Sequence, residues 1–171
     1  MNSTPIWIMA VVACQMAGGI ANANDNLNGI DIVNDKLVFM YDDQTIEMTA
    51  LEYGIWMTET NGRVGQIMGD NGKSRGPLQI GKAAWKDAME FDDSIGGTYA
   101  DVDGIDYSLR ILRSYKSRYA NERRLGQKPT GQQIARMWNG GPTGHRKAAT
   151  IGYWKKVRSH INALCEQSEI R

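Results

Sequence analysis

The segment VGQIMGDNGKSRGPLQI, residues 64–80, constrains this chain most, because Gly65, Gly69, Gly72 and Gly76 punctuate it and glycine at that density excludes a long helix. It reads instead as a β-hairpin or a pair of short strands. Before it, TALEYGIWMTETNG has the apolar spacing of a helix, with Thr49 as N-cap and Gly62 just past the end. After it every pattern is helical. GKAAWKDAMEF is short, and DYSLRILRSYKSRYANERRLG is longer, with Tyr107, Ile111, Leu112, Tyr115 and Tyr119 on one side and Gly126 and Pro129 as its stop. Thr130 caps GQQIARMW, and residues 150–167 form a last helix with Ile151, Trp154, Val157, Ile161 and Leu164 inward. Upstream, IDIVNDKLVFMYDDQTIEM predicts two short strands about an Asn34-Asp35 turn. This order predicts an α+β fold, mainly helical with a small hairpin, preceded by a short β extension.

A chain of 171 residues suits one domain with a real core. Residues 1–23 contain no Asp, Glu, Lys or Arg, are mostly apolar from Pro5 to Ile20 and end in Ala21-Asn22-Ala23, the form of a cleaved secretory signal. Val11-Val12-Ala13-Cys14 also resembles a bacterial lipoprotein cleavage box. Either way the expectation is export, secreted or periplasmic, without a permanent membrane span, since the apolar run falls short of the ~20 residues a membrane helix needs. Residues 24–48 then form a linker and β extension, and 49–167 the main domain. With the signal gone Cys165 is the only cysteine, so core packing rather than disulfides must hold the fold.

Charge is unevenly spread. Residues 24–59 carry one Lys or Arg against eight Asp or Glu, whereas 107–158 carry thirteen against one, Glu122. The basic half is a solvated helical face or a surface that attracts a polyanion. GDNGKS lacks the first glycine of a phosphate-binding P-loop, because position 67 is Ile. Asp92-Asp93 and Asp101-Val-Asp103-Gly-Ile-Asp106 lack calcium-loop spacing and read as turn and cap residues, and His145 and His160 have no neighbouring cysteine for zinc. No metal or cofactor is expected.

Two acids remain. Glu59 falls between Ile55 and Trp56 on the helical wheel, in the last turn of its helix. Desolvation and the negative helix end both favour its protonated form. Asp70 lies among Asn71, Lys73, Ser74 and Arg75, donors and cations that favour a carboxylate. A protonated acid facing a carboxylate is the equipment of glycoside hydrolysis. Local physics alone leaves open that Glu59 merely ends a helix and Asp70 merely makes a turn.

From about Ala50 to Val157 the chain resembles the invertebrate-type lysozymes, the destabilase family of the lysozyme superfamily. Three blocks carry the resemblance in order: IWMTETN with Glu59, GDNGKSRGPLQIGKAAWKDA with Asp70, and ARMWNGGPTGHRKAATIGYWKKV. It implies a lysozyme-like fold and a muramidase that cleaves the β-1,4 bond between N-acetylmuramic acid and N-acetylglucosamine in peptidoglycan glycan strands, with Glu59 as general acid and Asp70 as the second carboxylate. Gly76, Pro77, Gln79, Ile80 and Asn139 are expected to line the cleft. The chain departs from the family where cysteines are expected, at Arg75, Ala88 and His145, and where a Tyr is expected, at Ala84. Trp138 replaces the His linked to isopeptidase activity in some members, so that activity is not carried over. The alternatives are a lytic transglycosylase acting with one Glu on the same substrate, and a non-catalytic module binding glycan or, less in keeping with the motifs, nucleic acid.

Overall fold

The structure is a computed structural model that describes residues 26–27, 30–41 and 44–168. The signal-like segment and Cys14 lie outside the described residues. Strands β1 (Asn26–Leu27) and β2 (Ile30–Asp31) pair, and β3 (Lys36–Tyr41) pairs antiparallel with β4 (Gln44–Thr49). The register sets Tyr41 opposite Gln44, so the paired strands are β3 and β4 and not the two that flank the expected Asn34-Asp35 turn. That pair lies instead where β2 passes into β3, in a turn closed by the Asp31 carboxylate, which accepts from the Val33 and Asn34 amides. Such an Asx turn draws on local side-chain geometry, which outweighs the Asn-Asp hairpin signal.

The hairpin is not peripheral. Ile32, Leu37, Phe39, Ile46 and Met48 are buried in one core with Leu51, Ile55 and Trp56 of α1 (Ala50–Thr60), and Phe39 stacks on Tyr53 with ring centroids 5.1 Å apart. Helix α1 starts as expected at Thr49, through a capping box: Thr49 Oγ1 accepts from the Glu52 amide and Glu52 accepts from the Thr49 amide. It ends at Asn61 in the left-handed region.

Glu52, the other acid of this helix, is occupied away from any cleft. Its two carboxylate oxygens take Nε and Nη2 of Arg113 at 2.8 and 2.9 Å, and Arg113 also donates to the Glu47 carbonyl, tying α1 and β4 to the helix that carries Arg113. Glu52→Gln is expected to cost about 2 kcal/mol, because it uncouples a hydrogen-bonded ion pair whose Arg is only half-buried. A urea midpoint would show it, with the activity of the folded fraction unchanged.

The glycine-rich segment folds as a three-stranded sheet of minimal length: β5 (Met68–Gly69), β6 (Ser74–Arg75) and β7 (Ile80–Gly81), with a 3₁₀ turn at Asp70–Gly72. The third strand goes beyond the expected hairpin. Helices α2 (Lys82–Phe91), α3 (Ile105–Tyr119), α4 (Glu122–Leu125), α5 (Gly131–Gly140) and α6 (Ile151–Ser168) follow. The expected single helix through residue 125 breaks at Ala120, because the Asn121 side chain accepts the Arg124 amide at 3.1 Å and starts α4 afresh. Gly54 lets α1 and α6 touch: a Cβ there would lie 2.8 Å from Ile161 and 2.9 Å from the Val157 carbonyl.

The three positions where the resemblance leads to expecting cysteines hold an ion pair, a packed alanine and a histidine. Arg75 forms a bidentate pair with Asp103 at 2.7 and 2.6 Å, Ala88 is fully buried, and the Nδ1 of His145 is buried without a hydrogen-bond partner. Cys165 is the only cysteine among the described residues and is core-buried.

Candidate active site

Glu59, Asp70, Gln79, Ile80, Gly81, Ala84, Trp138 and Asn139 line one open cavity of about 140 Å³. Four elements meet there: the end of α1, the 70–72 turn, the run from Gln79 into α2, and the end of α5. The two acids, eleven positions apart in the chain, therefore share one cleft.

Glu59 is held at the cleft wall by α6. Val157 and Ile161 of α6 press on Gly54 of α1; with the helices running in opposite senses, moving one turn toward the end of α1 reaches the start of α6. There the Tyr153 hydroxyl donates to Glu59 Oε1 at 2.7 Å. Burial pushes the Glu59 carboxyl up to about 7; the Tyr153 hydrogen bond opposes this, the Asp70 charge adds to it, and the Trp138 indole opposes it. The expected desolvation is thus the leading cause, and the neighbouring donors hold the value near neutrality.

Asp70 is held by backbone rather than by side-chain partners. Asp70 and Asn71 sit in the left-handed region, φ 50° and 55°, a conformation that Asp and Asn tolerate better than most residues. The donors expected around its carboxylate are spent elsewhere: Ser74 Oγ bonds Gln79 Oε1 at 2.9 Å and Arg75 holds Asp103. Among the described residues no side chain donates to Asp70, which stands exposed at the rim.

Gln79 lines the cavity, yet its amide is committed inward. Nε2 donates to the Ile67 and Gly76 carbonyls, so Gln79, itself at φ 48°, braces the turn that presents Asp70. Gly69 must be glycine for this, since a Cβ would fall 1.8 Å from Gln79 Oε1. Gly76 and Pro77, expected at the cleft, are not among the residues that line this cavity. Gly76 has φ 79° and abuts the Val102 carbonyl, 2.0 Å from where a Cβ would sit, and the Pro77 carbonyl accepts from Thr60 Oγ1 at 2.9 Å, fastening the sheet to the end of α1. Ile80 and Asn139 are at the cavity.

Sequence reasoning missed Tyr153 and Trp138 as site residues. The signal for Tyr153 was present: Tyr153, Val157 and Ile161 recur every four residues, and that stripe faces α1, while Ile151, expected inward, is 41% exposed. Trp138 packs edge-on against Tyr115, centroids 5.6 Å apart, which fixes the indole at the cavity wall.

No family model matches the chain. It is 36% identical over 90 residues to lysozyme 1 of Crassostrea virginica, covering 52% of this chain and 46% of that protein, so it spans about half the length of that relative. It is 30% identical over 97 residues to a lysozyme of Ostrea edulis, covering 57% of this chain and 67% of that one. The solved structure of Meretrix lusoria lysozyme in complex with Aeromonas hydrophila PliI superposes with a TM-score of 0.55 at 30% identity, over 66% of this chain and 88% of that one. Tapes japonica lysozyme, at 24% identity and a TM-score of 0.54, shares the fold over 64% of this chain and 87% of that one. With the three sequence blocks folded around one cleft and this likeness extending over most of a solved relative, the chain belongs to the invertebrate-type lysozyme family.

Proposed function

We propose that the protein is an exported lysozyme that hydrolyses the β-1,4 bond between N-acetylmuramic acid and N-acetylglucosamine in peptidoglycan. The observation that carries this reading is that Glu59, whose carboxyl burial pushes up to about 7, shares a cleft with Asp70. Glu59 protonates the leaving glycosidic oxygen. Asp70 meets the positive charge that develops at the anomeric carbon, either by bonding to it or by stabilising it across the ring. Water completes the reaction, leaving a reducing muramic acid end.

Residues 49–167 carry the catalysis in this reading, and 24–48 form an extension whose strands brace α1. Residues 1–23 serve as the export signal. No helix among the described residues is long and apolar enough to cross a membrane. Between Arg123 and Cys165 there is no Asp or Glu, and Arg146, Lys147, Lys155 and Lys156 are exposed. These exposed cations, of which Lys147 reaches the Gly140 carbonyl next to Asn139, favour encounter with anionic wall polymers.

Mass spectrometry of digested peptidoglycan tests the chemistry. Reducing muramic ends are expected. Anhydro ends would mean a lytic transglycosylase, in which one Glu acts without Asp70, and no cleavage would leave a glycan-binding module.

A further inference from the structure

We propose that Tyr153 is a positioning residue that confines the Glu59 proton to Oε2, so that only one oxygen of the general acid is available to the substrate. The inference rests on the reading of Glu59 as the acid and adds the group that orients it.

The argument is one of donors and acceptors. A protonated carboxyl carries its proton on one of two oxygens, and only one placement is productive. Tyr153 donates to Oε1 at 2.7 Å, the hydrogen bond its hydroxyl makes among the described residues. Were Glu59 to donate toward Tyr153 instead, the phenolic hydrogen would lose its partner in a half-buried site, a loss that polar groups withdrawn from water avoid. The phenol does not take the proton by ionising either: burial first, then the Glu59 charge, hold it well above its ordinary value. The other close donor, the Trp138 indole, has no lone pair with which to accept. Both neighbours therefore offer hydrogens to Glu59; the indole cannot receive its proton, and the phenol could do so only by giving up its own bond to Oε1, which leaves the cleft as the favoured outlet.

Three groups face Glu59: Tyr153 from α6, Asp70 from the 70–72 turn and Trp138 from α5, of which Asp70 is the one charged side chain. Removing the phenolic hydrogen bond takes away a donor that favours the ionised form, so Glu59 should hold its proton more tightly.

The test is the Glu59 titration midpoint, followed by carbon NMR of the labelled side-chain carboxyl in the intact protein, for wild type, Tyr153→Phe and a ring-fluorinated tyrosine at position 153. Tyr153→Phe should raise the midpoint by about one pH unit and lower kcat about tenfold with KM unchanged. The fluorinated ring, a stronger donor of nearly the same shape, should lower the midpoint, and it decides the matter if the Phe variant does not fold. An unmoved midpoint in the folded variants, or a change in KM alone, would overturn the proposal. Its failure is separable from that of the lysozyme reading: an inactive Glu59→Gln with an unmoved midpoint sinks only the role of Tyr153, whereas an active Glu59→Gln sinks the acid assignment whatever the midpoint does.

Discussion

Glu59→Gln should lower lysis of a peptidoglycan suspension about 10³-fold while making the protein more stable above pH 7. The first effect follows from losing the carboxylic acid that supplies the proton at the cleft. The second follows from linkage. An unfolded glutamate titrates near its ordinary value, while folded Glu59 titrates at about 7, so between those pH values the native state binds the extra proton and stability falls as pH rises. Below the lower value there is no penalty; above pH 7 it is complete, about 3 kcal/mol for a difference of this size. Gln carries no charge and escapes it. Denaturation of wild type and variant at pH 4 and pH 8 should show little difference at pH 4 and a stabilised variant at pH 8. A merely structural glutamate would give the opposite result, a destabilised variant with activity retained.

Asp70→Asn should lower kcat about 10²-fold, the scale expected when the charge opposing an oxocarbenium-like transition state is removed. Stability should change by no more than about 0.5 kcal/mol, because the side chain is exposed and Asn accepts the left-handed backbone at φ 50°. Glu59 provides an internal check. The Asp70 charge raises its pKa, so the Glu59 midpoint should fall in Asp70→Asn. Unchanged activity would leave Asp70 as a turn residue and move the mechanism toward a single-acid transglycosylase.

The parts of this site that could be read in the sequence are those set by neighbours along the chain. The Thr49 N-cap, the helix end just before Gly62 and the glycine-rich turn after it are encoded within a few residues each, and they carry Glu59 and Asp70. What was not legible comes from far away. Tyr153 reaches Glu59 across 94 positions, and only the α1–α6 packing at Gly54 brings it there. Gly76 and Pro77 looked like cleft residues because they sit inside a block that resembles the family's. In the structure they make the close approach to Val102 and the tie to Thr60 instead. The Asn34-Asp35 reversal failed because a strong local turn signal does not say which strands it joins; that was settled by the register of β3 and β4 and the burial of their inner face.

The claim that a protonated Glu59 drives the reaction is tested most directly by kcat/KM for peptidoglycan lysis as a function of pH, which reports the ionisation of essential groups in the free enzyme. Activity should fall as pH rises through about 7, following the ionisation of Glu59. A rate that instead climbs between pH 7 and pH 9 would contradict it, because the essential group would then be needed as a base.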